Sequence, residues 1–361
     1  MVSPRGWASV ITRWSEMEMT EIEYSSSSSL LEVEGLRVEF DTPRGTIVAN
    51  RDISFSLSTG ETLGIVGESG SGKSVLCRAI LRLLPSPPAQ QSATRIAFLG
   101  SDLMQLSEQE MRKVRGQDIG MVFQNPMTSL NPVWSIGDQV SESLRVHKGL
   151  RHRQARDEAI KLLRQVGIPS PEIRVDDYPH QWSGGMMQRA VIAMAMAGSP
   201  KLLLADEPTT ALDVTIQDQI LSLLMELQRA TRMTLLLVSH DMGVIAETSD
   251  RLAVMYAGRI VEIGTTRQIF DRPSHPYTQG LMRSIPNVGA KERRLSSIPG
   301  QPPDLALLGD GCPFVDRCGI ASSDCRIATI QLEEIEGGHL TACLHPERIV
   351  QSEPLVARST P

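Results

Sequence analysis

The sequence predicts an α/β protein built on parallel strands, and three stretches carry that expectation. Residues 201–205 (Lys-Leu-Leu-Leu-Ala) and 234–238 (Thr-Leu-Leu-Leu-Val) are short apolar runs of the kind buried on both faces of a sheet. Between them, Ile216, Ile220, Leu223, Leu224 and Leu227 recur at helical spacing, and strand, helix, strand in that order reads as a parallel unit. A third buried run, residues 61–67, leads through a glycine-rich turn into a helical stretch at 75–84. The 361 residues allow two domains or one large domain with appendages. With aromatics at only 4%, the core must rest on Leu, Ile, Val, Ala and Met.

Residues 1–29 read as a tail ending in a serine run, Ser25 to Ser29, with nothing to pack; Met17 or Met19 would serve equally well as the start. The apolar stretch 7–12 is too short for a secretory signal, and Glu16, Glu18, Glu21 and Glu23 follow it. Order begins at 30–40, where Leu31, Val33, Leu36, Val38 and Phe40 largely alternate as in a strand. Pro43 and Gly45 mark a turn, and residues 53–57 form a second strand. The section from about 130 to 200 is richer in helical pattern, with Ala159, Ile160, Leu162, Leu163 and Val166 on one face. Met186, Met187, Met194 and Met196 read as core filler, and the basic cluster at 145–156 as a solvated helical face. After about 270 prolines recur and four of the five cysteines appear, marking an extension of different character.

Charge and hydropathy narrow the function. The formal charge of −6, from 36 basic and 42 acidic residues, argues against a nucleic-acid backbone as the main partner. No apolar run approaches the ~18 residues that cross a bilayer. The longest mostly apolar uncharged stretch is 190–200, so docking onto a membrane protein is the expectation, in a reducing compartment where disulfides explain little.

Gly67-Glu-Ser-Gly-Ser-Gly72-Lys73-Ser74 fits the pattern G-x-x-x-x-G-K-[ST] between a strand and a helix. Glycines such as Gly67, Gly70 and Gly72 let successive backbone N–H groups, including those at Ser69 and Val75, turn toward phosphate oxygens, and the helix N-terminus adds its partial positive charge. Lys73 is placed to reach the β- and γ-phosphates, and the Ser74 hydroxyl to bind Mg²⁺. The apolar strand 202–205 ends in Asp206 and Glu207. A carboxylate at that edge lies beside the phosphate loop, so Asp206 is expected on Mg²⁺ and Glu207 on the attacking water.

Ser183-Gly184-Gly185-Met186-Met187-Gln188-Arg189 is a second Ser-Gly-Gly helix start, just upstream of the acidic strand. It resembles the signature of ABC-type ATPases, with Trp182 in place of the usual Leu and Met186 in place of the usual Gln. That resemblance implies a P-loop NTPase fold with a parallel core sheet, an antiparallel edge and a helical arm. It also implies head-to-tail pairing, in which the signature of one cassette closes over ATP held by the other. Gln124 resembles the loop glutamine that senses Mg²⁺, Ala211-Leu-Asp213 the loop that crosses the dimer interface, and His240 the switch histidine on the γ-phosphate. Phe40 stands where an adenine-stacking aromatic is expected, and equally reads as a core residue.

The stretches 125–132, 206–215 and 255–258, with His275-Pro-Tyr-Thr278, resemble the peptide-import branch and its D-type subunit. The boundaries implied are a nucleotide-binding domain at 30–270, with its helical subdomain at about 130–200, and an extension at 271–361. The partners implied are a homologous F-type ATPase subunit, two membrane permeases and an extracytoplasmic substrate-binding protein. The location implied is peripheral, on the cytoplasmic face of the inner membrane. Import of nickel chelates or another small solute, a soluble non-transport ATPase, and an ATP-binding scaffold are the competing readings.

Cys312, Cys318, Cys325 and Cys343 follow the spacing C-x₅-C-x₆-C-x₁₇-C. Structural zinc usually shows tighter pairs, whereas four thiolates also hold iron–sulfur clusters. The region resembles one that carries a 4Fe–4S cluster in some members of the branch; zinc and reduced structural cysteines are the alternatives. Cys77, on the phosphate-loop helix, reads as a small packed apolar residue.

Overall fold

The computed structural model describes residues 29–43, 45–210, 212–284 and 298–349. The sequence-predicted tail through position 28, with Met17 and Met19, and Ala211 of the expected interface loop lie outside the described residues.

The chain opens with two long antiparallel strands, β1 (Ser29–Thr42) and β2 (Gly45–Ser58), then β3 (Thr62–Val66) and helix α1 (Lys73–Ile80). Strands β4 (Ala89–Ser92), β5 (Arg95–Phe98) and β6 (Ser101–Asp102) precede α2 (Glu108–Gln117) and β7 (Ile119–Val122). A helical arm follows: α3 (Pro126–Ser129), α4 (Ile136–Lys148), α5 (His152–Gln165), α6 (Pro171–Arg174) and α7 (Gly184–Met196). The chain then alternates through β8 (Leu202–Asp206), α8 (Val214–Thr231), β9 (Thr234–Ser239), α9 (Met242–Thr248) and β10 (Arg251–Tyr256). It closes with β11 (Arg259–Thr265), α10 (Thr266–Asp271), α11 (Pro276–Arg283), β12 (Glu333–Glu336) and β13 (His339–Thr341).

Two sheets result. The larger runs β12-β13-β11-β10-β3-β9-β8-β7, parallel from β10 to β7 and antiparallel from β10 to β12. The smaller is antiparallel, β2-β1-β5-β6 with β4 also on β1. Period-two alternation explains why the central strands read as unbroken apolar runs. Leu202, Leu204, Leu236 and Val238 enter a core shared with α1 and the small sheet, while Leu203, Ala205, Leu235 and Leu237 enter the core under the helical arm and α8. The four methionines near α7 pack in or against that second core, as their spacing predicts.

Helix α1 ends at Ile80, short of the expected 84. Arg82 takes a left-handed φ of 51°. The Leu83 N–H then donates to Arg78 O and the Arg82 N–H to Ala79 O, a Schellman closure that stops the helix without glycine. After 270 the described residues stay on the main body. Strand β13 pairs with β11, and Tyr277 and Phe314 are buried in the core under the helical arm. Among the described residues no helix is long and apolar enough to cross a membrane.

Candidate functional site

The loop between β3 and α1 carries the phosphate motif. Gly67 has a φ of 159°, close to extended, so its requirement is space: a Cβ there would sit 2.1 Å from Met255 O. Gly72 is left-handed at φ 98°, and a Cβ would meet Ala49 O at 2.4 Å. Gly70 is left-handed at φ 80° with nothing within 4 Å of a Cβ position, and Ser69 beside it is exposed. The turn is pinned from behind by Asn50, whose amide donates to Gly72 O at 3.1 Å, and by the Gly258 N–H, which donates to Ser71 O at 3.0 Å. Val75 is half-buried and packs toward the core.

Lys73 is nearly buried and folds back over the loop. Its Nζ donates to Gly67 O at 2.8 Å and Glu68 O at 3.0 Å, and lies 3.8 Å from Glu207 Oε1. Burial lowers its pKa, against the pull of Glu207 and Asp206. The Ser74 hydroxyl donates to Asp206 Oδ1 at 2.8 Å. Asp206 itself is fully buried, its other oxygen Oδ2 has no hydrogen-bond partner, and burial raises its pKa.

Glu207 breaks the strand with a left-handed φ of 46°, uncommon for a residue with a side chain. Its Oε2 accepts from Thr210 Oγ1 at 2.8 Å and Gln124 Nε2 at 3.1 Å, with His240 Nδ1 at 3.3 Å. Lys73, Ser74, Gln124, Asp206, Glu207 and His240, called from separate stretches of sequence, therefore meet in one place. Gln124 and His240 are exposed there, at the mouth of the site.

A partnerless buried carboxylate oxygen beside a hydroxyl is a donor set that fits a small, hard divalent cation. Ser74 and Asp206, with Gln124 at the edge, are the residues that would hold Mg²⁺.

Other expected residues stand apart. Ser183 caps α7, accepting from the Met186 N–H at 3.4 Å, and Gly184 and Gly185 pack toward Leu212 and Ile216. Among the described residues, no hydrogen bond or ion pair of the phosphate-loop cluster reaches these three. Asp213 is exposed and caps α8 by accepting from the Ile216 N–H at 2.9 Å. Phe40 is half-buried on β1, packs against the core and faces Ile47 and Ala89 across the ladders. Sequence reasoning gave no site role to Thr210 and Tyr277, which stand within the stretches 206–215 and 275–278, or to Arg317; all three are hydrogen-bonded to Glu207 or Glu68. Thr210 lies three residues from Glu207; the other two are too far along the chain for any spacing signal.

The four thiols Cys312, Cys318, Cys325 and Cys343 line one cavity with His275, Phe314 and His345. Burial pushes Cys312 and Cys343 up to about 11, and Cys318 also upward, which favours their neutral thiols. A tighter donor group, Asp324, Cys325 and His345, has its ligand atoms within 4.8 Å of one another. His345 Nε2 lies 2.9 Å from Asp324 Oδ2.

Comparison with known proteins places this geometry. The ABC transporter family model matches residues 50–210, and the model for the oligopeptide/dipeptide transporter C-terminal region matches 261–325. The dipeptide transport ATP-binding protein DppD of Bacillus subtilis is 52% identical over 80% of this chain and 86% of its own length. This chain is an ABC transporter ATP-binding protein. The oligopeptide transport ATP-binding protein OppD of Bacillus subtilis is 53% identical over 81% of the chain and 82% of its own length, and that of Haemophilus influenzae 48% over 87% and 96%. Among solved structures, the dimeric ATP-binding cassette MJ0796, in a post-hydrolysis state with ADP and Pi, superposes with a TM-score of 0.59 at 26% identity. The match covers 66% of this chain and 99% of that one. The expected α/β fold, with parallel core, antiparallel edge and helical arm, is that of this ABC family.

Proposed function

We propose that this chain is the ATP-hydrolysing subunit that powers a membrane importer of di- or oligopeptides. The observation that carries the reading is the convergence of Gln124, Thr210 and His240 on Glu207, beside Lys73 and the Ser74–Asp206 pair. The peptide cargo rests on the names of the relatives and on the matched C-terminal region.

In this reading the amides of the loop 67–75 and Lys73 grip the β- and γ-phosphates of ATP. Mg²⁺ held by Ser74 and Asp206, with Gln124 at the edge, would supply positive charge against those phosphates. Glu207 takes up the proton of a water aligned on the γ-phosphorus as the bond to the bridging oxygen breaks. Gln124 and Thr210 hold the Glu207 carboxylate in place, and His240 is within reach of the phosphoryl oxygens. Little covalent chemistry falls to the protein, so its contribution is positioning and charge stabilisation. Phe40 stacks on adenine.

Because Ser183, Gly184 and Gly185 make no hydrogen bond or ion pair with the phosphate-loop cluster among the described residues, they serve, with the exposed Asp213, the nucleotide of a homologous, F-type second ATPase subunit. That pair drives two permeases fed by an extracytoplasmic substrate-binding protein, and it sits peripherally on the cytoplasmic face of the inner membrane. The nucleotide-binding domain spans 30–270, with the extension beyond it. The four thiols lining one cavity fit a 4Fe–4S cluster, held by Cys312, Cys318, Cys325 and Cys343 once deprotonated.

The test is phosphate release and peptide uptake by the reconstituted complex. Glu207→Gln is expected to keep ATP binding and to lose turnover by a hundredfold or more, on the order of a lost general base. Unchanged turnover removes Glu207 from the mechanism, and uptake of nickel chelates without peptides reassigns the cargo.

A further inference from the structure

Glu68, the second residue of the phosphate loop, is held at both ends by residues from the far end of the chain. Its backbone N–H donates to Tyr277 Oη at 2.8 Å. Its carboxylate accepts both arms of one guanidinium, with Arg317 Nη1 at 2.7 Å from Oε2 and Nη2 at 3.0 Å from Oε1. The pair is no ordinary surface bridge: the Arg317 side chain is 6% exposed and that of Glu68 27%. Exposed pairs contribute little because two long side chains must be ordered to make them. Here the ordering is already done. Arg317 Nε donates to Pro299 O at 2.9 Å, and Nη1 also reaches Tyr256 Oη at 3.2 Å. The guanidinium carbon stands 5.7 Å from the ring centres of both Tyr256 and Phe314. A planar fork with its donors committed and two aromatic rings packed beside it is a rigid, bidentate anchor.

What it anchors matters for the nucleotide. Glu68 O accepts from Lys73 Nζ at 3.0 Å and from the Ser71 N–H at 3.2 Å. The direction of the Glu68 peptide therefore bears on the lysine and on the turn that aims the amides. Arg317 ends a short helical turn, Val315–Arg317, flanked in sequence by Cys312 and Cys318, which line the thiol cavity. Glu68 and Arg317 lie 249 residues apart in sequence.

We infer that Arg317 is a positioning residue for the phosphate loop, through which the cysteine-bearing extension sets the affinity of this subunit for nucleotide. The inference rests on the ATP-site reading above.

The experiment measures the Kd for a fluorescent ATP analogue, with KM and kcat for ATP, on the assembled transporter. Arg317→Met is expected to raise Kd and KM by about tenfold, within the range of coupling between sites, and to leave kcat at saturating ATP within about twofold. Glu68→Gln is expected to raise Kd and KM by a similar factor, and the double variant no more than either alone, because both remove one interaction. Arg317→Lys, with a point charge for a fork, is expected to recover part of the affinity. Wild-type Kd in Arg317→Met, or losses that add in the double variant, would overturn the inference. So would a KM and kcat that worsen together with a lowered melting temperature, the mark of a general stabiliser. Should Arg317→Met not fold, Glu68→Gln and Arg317→Lys interrogate the same pair. Lys73→Ala separates the two levels of argument. If it binds ATP like the wild type, the ATP-site reading fails; if it loses ATP while Arg317→Met keeps it, the positioning role alone fails.

Discussion

Asp206 and Glu207 are neighbours in sequence with opposite surroundings. The strand buries Asp206 completely, with one oxygen on Ser74 and one unpartnered, whereas the left-handed backbone at Glu207 turns the next carboxylate toward Gln124, Thr210 and His240. In the function proposed above, these two chemically similar groups take separate tasks, one for a cation and one for a water. A third titratable group is shifted by burial. His275 caps α11, its Nδ1 accepting from the Tyr277 N–H at 3.1 Å, and burial pushes its pKa down to about 3 from the ordinary 6.5. Between those two values the unfolded chain binds a proton that the folded chain refuses. Stability from this group is therefore present above pH 6.5 and is lost as pH falls toward 3, by about 1.4 kcal/mol per unit. His275→Asn keeps a capping side chain and removes the titration. Its melting temperature is expected to fall less steeply than that of the wild type between pH 7 and pH 4 in calorimetry; parallel slopes would refute the assignment.

Elements were legible where their own residues decided them. Strands β3, β8 and β9 stand within a residue or two of their sequence-predicted runs because both faces are buried and their central positions are apolar. Strand β4, Ala-Gln-Gln-Ser, carries no such pattern: its pairing comes from the partner β1, which no local window contains. The caps were legible as residue types and misleading as roles, since the motif residues Ser183 and Asp213 are also the N-caps of their helices. Asp213 separates the two duties experimentally. Asp213→Asn keeps a good cap and is expected to keep the melting temperature, while Asp213→Ala is expected to lose about 1 kcal/mol of stability. If ATP turnover of the assembled pair falls in Asp213→Asn, the charge acts across the subunit interface. If only Asp213→Ala affects turnover, the cap is the whole of its function.

At the scale of the molecule, the sequence showed a change of composition after 270 and, through the branch resemblance, a boundary there. The structure shows how intimately the later segment joins the core. β13 extends the main sheet past β11, and Tyr256, Tyr277 and Phe314 stack within 4.5–5.5 Å across that junction. The convergence of the nucleotide residues was readable because each sits in a recognisable local motif. The Glu68–Arg317 anchor was not, because neither residue has a local pattern and only the fold brings them together. A buried carboxylate closes the junction. Glu262 on β11 is fully buried and accepts from the Ser274 N–H at 2.6 Å, the His275 N–H at 3.0 Å and His339 Nε2 at 2.8 Å. Three donors from two segments, 274–275 and β13, thus meet on one side chain, and removing the ring leaves a buried acid short of a partner. His339→Ala is expected to cost about 2–3 kcal/mol, the penalty of stripping a hydrogen bond from a buried charged group. With cores shared between the extension and the nucleotide-binding body, that loss should lower a single calorimetric transition as a whole. Two separate transitions, with only the first displaced, would instead mean that the extension melts on its own and that the shared core does not couple it to the nucleotide site.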